Sequence, residues 1–354
     1  MTPPLAYDTR ISWEDNCLHG PRLASNPPPV PQGPRKCFLG LPVCTRIGIA
    51  AGLLPNRRWI LPYATLGFGI LTYKTVRSSA RPSYPAPNWV FVDDPGPDGG
   101  PVTLRDGIPE DRTQATSAVC FGMPSPPPEV WRSDIRQTRD GLPEGHPLIV
   151  SVVGTPGPRP SIEALAEDFA RCAAWADEAG ADIIEANLSC PNVCSGEGSL
   201  HLDKTASLAV ATRIRGAIGH TPLLLKVGLW ENRTEAGVDF LRTIDGVADG
   251  VTLANAMSRP VLRPDGTPVF GDAYRTAGVI GRALHGPSVR AVREFRTAIE
   301  TLRLSLKIAA VGGVSTVDDF GDFFEAGADA VLCGSSPAYL PGLAAEARRL
   351  HPEW

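Results

Sequence analysis

The sequence of 354 residues predicts an α/β fold of the TIM (β/α)8 barrel class. Three observations carry this prediction. Apolar strand segments alternate with helical segments from residue 46 to the end of the chain. The strand segments are apolar throughout, as in a parallel sheet that helices cover on its outer face. Glycine, lysine or asparagine stands at or just after the carboxyl end of several of these strand segments. A doubly wound sheet is the alternative, but no Gly-x-Gly-x-x-Gly follows the first strand.

The predicted strands are short runs of apolar and β-branched residues. They are Arg46–Ala51, Gly69–Tyr73, Leu148–Val153, Asp182–Leu188, Leu223–Val227, Gly250–Ala254, Lys307–Val311 and Ala328–Cys333. Helices are predicted by apolar positions at helical spacing and by capping residues such as Ser161 and Ser315. They cover Arg57–Leu66, 161–180, Asp203–Ile218, Thr234–Ile244, Pro287–Leu302, 315–327 and a last segment that ends at Leu350.

Two proline-rich segments lie outside this repeat. Residues 1–43 are predicted as an N-terminal extension with one short element at Ile11–Leu18, and residues 44–354 as the barrel domain. Residues 77–128 are predicted as a long insertion after the second strand, with a short strand at Trp89–Val92. Neither segment resembles an independent domain. A further long loop is expected between the sixth strand and the helix that follows it.

Composition narrows the classes of function. The 34 Lys and Arg against 38 Asp and Glu give a net charge of −4, which does not favour a nucleic-acid partner or an anionic membrane. No apolar run reaches the ~18 residues of a membrane span, and the first residues lack the pattern of a signal peptide. A cytoplasmic protein is therefore expected. The eight cysteines are predicted to be free thiols, and without Cys-x-x-Cys no metal site is predicted.

Glycines follow the last two predicted strands. Gly312-Gly313 and Gly334-Ser335 stand where barrel enzymes hold a phosphate on backbone N–H groups, because glycine lets the backbone approach the ligand. Tight turns that need positive φ are the alternative. Because two such loops follow neighbouring strands, a phosphate-binding site is favoured over two unrelated tight turns.

Cations, amides and a thiol end three other strands. Lys74 and Lys226 suit an anionic ligand, or a flavin whose N1–C2=O edge gains negative charge on reduction. Asn187 and Asn192 offer donors and acceptors to an amide or imide ring. Cys190 lies between them and is a candidate general base, although a buried inert cysteine is the usual alternative.

Asn-Leu-Ser-Cys-Pro-Asn at 187–192 resembles the signature of the dihydroorotate dehydrogenases and of the related dihydropyrimidine dehydrogenase domain. Other blocks are similar in order and spacing across about residues 44–345. They are Gly48–Leu53, Leu66–Gly69, Lys74–Val76, Asn255, Gly278–Leu284, Gly312-Gly313 and Gly334-Ser335.

The resemblance implies a barrel that binds one FMN and oxidises or reduces a CH–CH bond next to a carbonyl, dihydroorotate or a related compound. Cys190 would be the base and Lys74 a second catalytic residue. The implied FMN contacts are Ala51, Gly52, Lys74, Thr75, Asn187, Lys226, Gly278, Gly312, Gly313, Gly334 and Ser335. The implied substrate contacts are Lys74, Gly122, Met123, Asn187, Asn192 and Asn255.

The sequence departs from the family where substrate would bind. The family places Asn-x-x-Gly-x-Pro-Asn over the substrate, whereas this chain has Val119 through Ser125 without either asparagine. The family's Asn-Ser or Asn-Thr pair is Asn255-Ala256 here. A lost hydrogen bond to a buried polar ligand costs about 1–3 kcal/mol, so a modified or different conjugated carbonyl compound is the hypothesis for the substrate.

Two other functions stay open at this point. One is a phosphate-binding barrel without flavin, an isomerase or lyase. The other is a protein that retains FMN without turnover. An electron acceptor is required for a flavoenzyme and is not identified by any motif. The resemblance also implies a homodimer.

Overall fold

The computed structural model describes residues 5–24, 29–94, 99–157, 161–189, 196–231 and 233–354. Its strands are β1 (Lys36–Phe38), β2 (Leu41–Val43), β3 (Ile47–Ile49), β4 (Ile70–Val76), β5 (Trp89–Val92), β6 (Val102–Thr103), β7 (Thr116–Val119), β8 (Leu148–Val152), β9 (Ile183–Asn187), β10 (Leu223–Val227), β11 (Gly250–Leu253), β12 (Met257–Leu262), β13 (Thr276–Gly281), β14 (Lys307–Val311) and β15 (Ala330–Cys333). Its α-helices are α1 (Trp13–His19), α2 (Arg57–Thr65), α3 (Pro128–Gly141), α4 (Ile162–Glu178), α5 (Lys204–Ile218), α6 (Thr234–Ile244), α7 (His285–Leu302), α8 (Val317–Glu325) and α9 (Leu343–Leu350).

Eight parallel strands of the described chain close into a barrel in the order β3-β4-β8-β9-β10-β11-β14-β15. Helices follow most of these strands and cover the outer face, so the predicted TIM barrel is confirmed. The barrel strands are buried along almost their whole length, as their uniform apolar sequences require. Six of the eight predicted strands differ from the observed ones by one to three residues at an end; β4 continues to Val76, where its register with β8 shifts.

A second sheet of five strands, β5-β7-β13-β12-β6, packs over the carboxyl ends of the barrel strands. The strand at Trp89–Val92 is confirmed as β5. The prediction of a long loop between the sixth barrel strand and the helix after it is wrong, because this segment contains β12 and β13. These strands pair with β6 and β7, which lie more than 100 residues earlier in the chain. Long-range pairing of this kind leaves little local signal in the sequence.

Two helix predictions need correction. Helix α3 was not predicted, because its buried face consists of Trp131, Ile135 and Thr138 among mostly polar residues. Helix α8 begins after Thr316 rather than after Ser315. Thr316 Oγ1 accepts a hydrogen bond from Asp319 N–H, and the Asp319 side chain accepts one from Thr316 N–H, which forms a capping box. The predicted cap at Ser161 is confirmed by its bond from Ala164 N–H.

The N-terminal segment packs on the barrel in two places. Around the rim, Ala6 N–H donates to Ala338 O at 2.7 Å, and the Tyr7 ring lies 5.0 Å from the Trp89 ring. The β1-β2 hairpin was not predicted; its Phe38 and the following Val43 join the apolar cluster inside the barrel. A boundary between extension and barrel at residue 43 stays a prediction.

The described cysteines are free thiols, as predicted. They are Cys17, Cys37, Cys44, Cys120, Cys172 and Cys333. Within the described ranges, no helix combines the length and the apolar character that crossing a bilayer requires.

Candidate active site

A cavity of about 1080 Å³, including its open mouth, lies between the carboxyl ends of the barrel strands and the second sheet. The carboxyl ends of β4, β9 and β10 and the loops after β3, β11, β14 and β15 line it, which is the place where barrel enzymes hold their ligands. The residues that line it and were predicted as site residues are Ala51, Gly52, Lys74, Thr75, Met123, Asn187, Lys226, Asn255, Gly312, Gly313, Gly334 and Ser335. Most of the predicted site is therefore brought together at one location.

Two buried ammonium groups face this cavity. Lys74 on β4 is 9% exposed and Lys226 on β10 is 3% exposed. Lys226 Nζ donates to the backbone oxygen of Ala51 at 3.2 Å, and Lys74 Nζ donates to that of Gly52 at 3.4 Å. Lys74 Nζ also lies 4.9 Å from the centre of the Phe121 ring. The neutral backbone oxygen of Ala51 balances the Lys226 ammonium group only in part, so Lys226 favours an anionic ligand in the cavity.

Two asparagine side chains form an amide pair at the cavity floor. Asn255 Nδ2 donates to Asn187 Oδ1 at 3.3 Å and also to the backbone oxygen of Ser189. Asn187 Oδ1 accepts a second bond from Ser189 N–H at 3.2 Å, and Asn187 Nδ2 donates to Thr75 Oγ1 at 3.4 Å. Strands β4 and β9 and the loop after β11 bring these groups together. The pair is held in place by the protein and lies within the cavity lining.

The two glycine loops lie side by side, because β14 pairs with β15. At Gly313 φ is +68°, and a Cβ atom would lie 2.7 Å from His285 N and 2.8 Å from Gly281 O. Only glycine fits this position. At Gly334, by contrast, a Cβ atom would meet no atom within 4 Å, so the space beside this backbone is open. Ser335 Oγ lies 3.3 Å from Tyr339 OH. These loops form a cradle that backbone N–H groups can use to bind a phosphate.

A salt-bridged cluster supports the cradle from behind, and the sequence analysis missed it. Asp319 Oδ2 accepts hydrogen bonds from Ser315 N–H and Thr316 N–H at 2.8 Å, and Asp319 Oδ1 accepts one from Arg282 Nη1 at 2.6 Å. Burial acts to raise the Asp319 pKa, but the Arg282 and backbone hydrogen bonds outweigh it and lower that pKa. His285 Nε2 lies 2.8 Å from Asp322 Oδ2. The capping box at 316–319 is the signal that could have identified this support.

The second sheet contributes an apolar wall that the sequence analysis also missed in large part. Its members are Trp89, Val119, Phe121, Met123 and Ile280. Met123 has φ of +51°, and its backbone oxygen accepts a hydrogen bond from Arg77 Nε at 3.2 Å, which fixes this turn over the cavity. Strands β5, β7 and β13 supply Trp89, Val119 and Ile280, and the segment after β7 supplies Phe121 and Met123.

Two predicted site residues lie away from the cavity lining. Gly278 lies within β13, where it pairs with Val119, and Gly281 lines the cavity instead. Gly122 lies behind the wall with its Cα against the Tyr84 ring, since a Cβ there would lie 2.6 Å from that ring. The predicted base Cys190 and the predicted substrate contact Asn192 lie outside the described residues, so their roles stay predictions.

The family profile described as "Dihydroorotate dehydrogenase" matches residues 112–346, more than half of the chain. The chain belongs to the dihydroorotate dehydrogenase family. The match includes the amide pair, Lys226 and both glycine loops, while Lys74 lies before it. The resemblance drawn from the signature at 187–192 is thereby confirmed.

Relatives with assigned names agree with this membership. The chain is 28% identical over 355 residues to a dihydroorotate dehydrogenase of Dictyostelium discoideum, with 96% of this chain and 95% of that protein covered. It is 28% identical over 311 residues to the catalytic subunit of a dihydroorotate dehydrogenase B (NAD(+)) of Desulforudis audaxviator, which covers 86% and 87% of the two chains. Among solved structures, a dihydroorotate dehydrogenase of Eimeria tenella in complex with ferulenol aligns with a TM-score of 0.68. That alignment covers 88% of this chain and 82% of the other at 19% identity, and it supports the fold.

Proposed function

We propose that the protein is an FMN-dependent oxidoreductase that interconverts a CH–CH bond and a conjugated C=C bond next to a carbonyl group. The observation that carries this proposal is the meeting of buried lysines, an amide pair and an open glycine cradle in one cavity. A phosphate-binding isomerase or lyase would use the cradle and the cations as well, so the match of residues 112–346 to the dihydroorotate dehydrogenase family is what favours a flavoenzyme.

The described residues fit FMN. The loops at 312–313 and 334–335 would bind its phosphate through backbone N–H groups, and the open space beside Gly334 accommodates that group. Lys226 would lie along the ring edge that becomes negative on reduction. When bound, FMN supplies the acceptor or donor of a hydride. The protein's own part is to fix the ring, hold the substrate against it and move the accompanying proton.

Asn187 and Asn255 would hold the polar edge of the substrate. Their side chains are fixed by the hydrogen bond between them and by Ser189, so they keep donors and acceptors in place before the substrate arrives. An amide or carbonyl group of the substrate matches this mixture of donors and acceptors.

Cys190 would be the base that removes a proton from the carbon next to the carbonyl, with Lys74 as a second catalytic residue. Replacement Cys190→Ser keeps a weaker base at the same place, whereas Cys190→Ala removes it. We expect the rate of flavin reduction by substrate to fall in the first variant and to fall further in the second, with FMN content unchanged. Undiminished flavin reduction in Cys190→Ala would remove Cys190 from this role.

The apolar wall bears on which compound is the substrate. Val119 lines the cavity at 8% exposure, at a position where the family has an asparagine, and Ala256 lacks the hydroxyl that follows Asn255 in the family. A substrate with a polar edge toward the amide pair and an apolar side toward Phe121 suits this cavity better than dihydroorotate does. The hypothesis of a modified or different conjugated carbonyl compound is therefore retained.

The test is an absorption spectrum of the purified protein, followed by anaerobic titration with dihydroorotate and with a panel of cyclic enones and their saturated forms. We expect flavin bands, and bleaching or recovery of those bands with at least one compound. A protein without flavin bands that binds no added FMN supports the isomerase or lyase alternative. FMN that no compound in the panel reduces or reoxidises supports a binding protein without turnover.

Three further properties complete the proposal. The reaction needs a second partner that accepts or donates the electrons. A homodimer and a cytoplasmic location stay predictions. Sedimentation of the purified protein tests the homodimer, and microscopy of a tagged protein tests the cytoplasmic location.

A further inference from the structure

A layer of polar side chains lies inside the barrel, directly beneath the cavity. Thr72, Glu185 and Thr252 each precede by two positions a residue that lines the cavity, and alternate residues of a strand face the same side. All three side chains therefore point into the barrel. Ser151 joins them, because it pairs with Glu185 across β8 and β9. Among the described strand residues on this inner face, Glu185 is the one acid.

Glu185 is fully buried, with 0% exposure. Among the described residues, neither of its carboxylate oxygens has a hydrogen-bond partner, and the hydroxyl groups of Thr72 and Thr252 also lack one. Unpartnered polar groups on β4, β9 and β11 inside the barrel suit ordered water. A carboxylate among them also needs a counter-charge, since an isolated buried charge is strongly disfavoured.

The strand next to Glu185 carries a buried cation, Lys226. In the register of β9 and β10, Glu185 pairs with Leu224 and Asn187 pairs with Lys226, so Lys226 lies one layer above Glu185 on the neighbouring strand. Strand geometry gives a Cα separation of roughly 8 Å. Among the described residues, the one hydrogen bond of the Lys226 ammonium group runs to Ala51 O, a neutral acceptor. A buried cation and a buried acid thus face the same interior.

We propose that Glu185 is a positioning residue that acts as the buried counter-charge of Lys226 and lowers the reduction potential of FMN bound above it. This inference rests on the proposed binding of FMN. A negative charge below the ring opposes the negative charge that reduction adds, and it weakens the field of Lys226 at the same edge. No residue of this layer lines the cavity, so its effect on the ring is electrostatic.

The first experiment needs no flavin. Thermal unfolding of the apoprotein is measured for Glu185→Gln, Lys226→Met and the double variant. The matched control is a second set of three variants, in which Thr72→Val takes the place of Glu185→Gln. We expect Lys226→Met to lower the melting temperature less when Glu185 is already Gln, because no carboxylate is then left alone. With Thr72→Val the two shifts should add. Additive shifts in the Glu185 cycle would overturn the pairing.

The second experiment measures the potential of the FMN-loaded protein by equilibration with a reference dye. Glu185→Gln should shift the potential to a more positive value, while Glu185→Asp and Thr72→Val should leave it close to the unsubstituted protein. An unmoved potential in Glu185→Gln would overturn the electrostatic role. Glu185→Met removes the same charge and replaces Glu185→Gln if that variant does not fold. A protein that binds no FMN contradicts the proposed function, and the apoprotein cycle still decides the charge pair.

Discussion

Asn255 donates a side-chain hydrogen bond to Asn187 at 3.3 Å, and this bond joins the ends of two barrel strands that are not neighbours. Strand β10 lies between them, and its Lys226 pairs with Asn187 in the strand register. The amide pair and the buried cation therefore share one floor. Substrate recognition and the stabilisation of charge on the flavin ring are expected to depend on separate residues of that floor.

Replacement Asn255→Ala tests the amide pair. We expect substrate binding to weaken by about 1–3 kcal/mol, roughly tenfold to a hundredfold, because a buried polar group of the substrate loses its partner. FMN content should not change, since backbone N–H groups of the glycine loops, and not the Asn255 side chain, would bind the phosphate. The measurement is a titration of the flavin spectrum with the best compound of the panel. Ser258→Ala, at an exposed position of β12, is the control, and an equal loss in both variants would contradict this role.

Replacement Gly334→Ala tests the phosphate cradle without disturbing the fold. A Cβ at this position meets no protein atom within 4 Å, so the apoprotein should melt at an unchanged temperature. The methyl group would enter the space proposed for phosphate, and FMN affinity should fall by at least about tenfold, or ~1.4 kcal/mol. Fluorescence quenching of added FMN measures this. Gly100→Ala, where the space is also open but lies outside the cavity, should bind FMN normally. Normal FMN binding by Gly334→Ala would place the phosphate elsewhere.

Replacement Lys226→Met tests the buried cation. Loss of the charge beside the ring should weaken the binding of reduced FMN relative to oxidised FMN by roughly tenfold to a hundredfold, because reduction adds negative charge at that edge. The two affinities are measured by anaerobic titration of the apoprotein with each form. Lys204→Met removes an exposed lysine on α5 and serves as the control. Equal losses for both forms of FMN in Lys226→Met would argue against the proposed orientation of the ring.

His201 gives the fold a dependence on pH. It is 6% exposed and packs edge-on against Trp230, and burial lowers its pKa from 6.5 to about 4. His201 is therefore protonated below about pH 6.5 in the unfolded chain, but only below about pH 4 in the folded chain. Stability is complete above the unfolded value and falls as pH decreases through this window.

Replacement His201→Leu should remove that dependence. Between pH 7.5 and pH 5 the free energy of unfolding should fall by about 2 kcal/mol less in the variant than in the unsubstituted protein. Urea unfolding at the two pH values measures the difference. His220→Leu, at an exposed histidine, is the matched control. The same pH dependence in His201→Leu and in the unsubstituted protein would assign the acid sensitivity to other groups.

Much of the barrel could be predicted because its strands are buried on both faces and therefore read as apolar runs. Leu223–Val227 and Lys307–Val311 match the structure at both ends. The rule that barrel enzymes act at the carboxyl ends of strands then selected Lys74, Lys226 and Asn187. That rule depends only on order along the chain, so it holds without knowledge of distances.

The second sheet could not be predicted in the same way. Strands β7 and β13 pair across more than 150 residues, and β12 contains Pro260, which obscures a strand pattern. Much of the apolar wall, including Trp89 and Ile280, therefore appeared only in the structure. Glu185 was equally hidden, because a single acid in an apolar run has no meaning until the register places it beneath the cavity.

The central claim is that the cradle at 312–313 and 334–335 binds the phosphate of FMN. The most direct measurement is the stoichiometry of FMN released from the purified protein, together with the affinity of the apoprotein for added FMN and for riboflavin. The account predicts one FMN per chain and much weaker binding of riboflavin, which lacks the phosphate. A protein that binds neither compound, or binds both equally well, would contradict it.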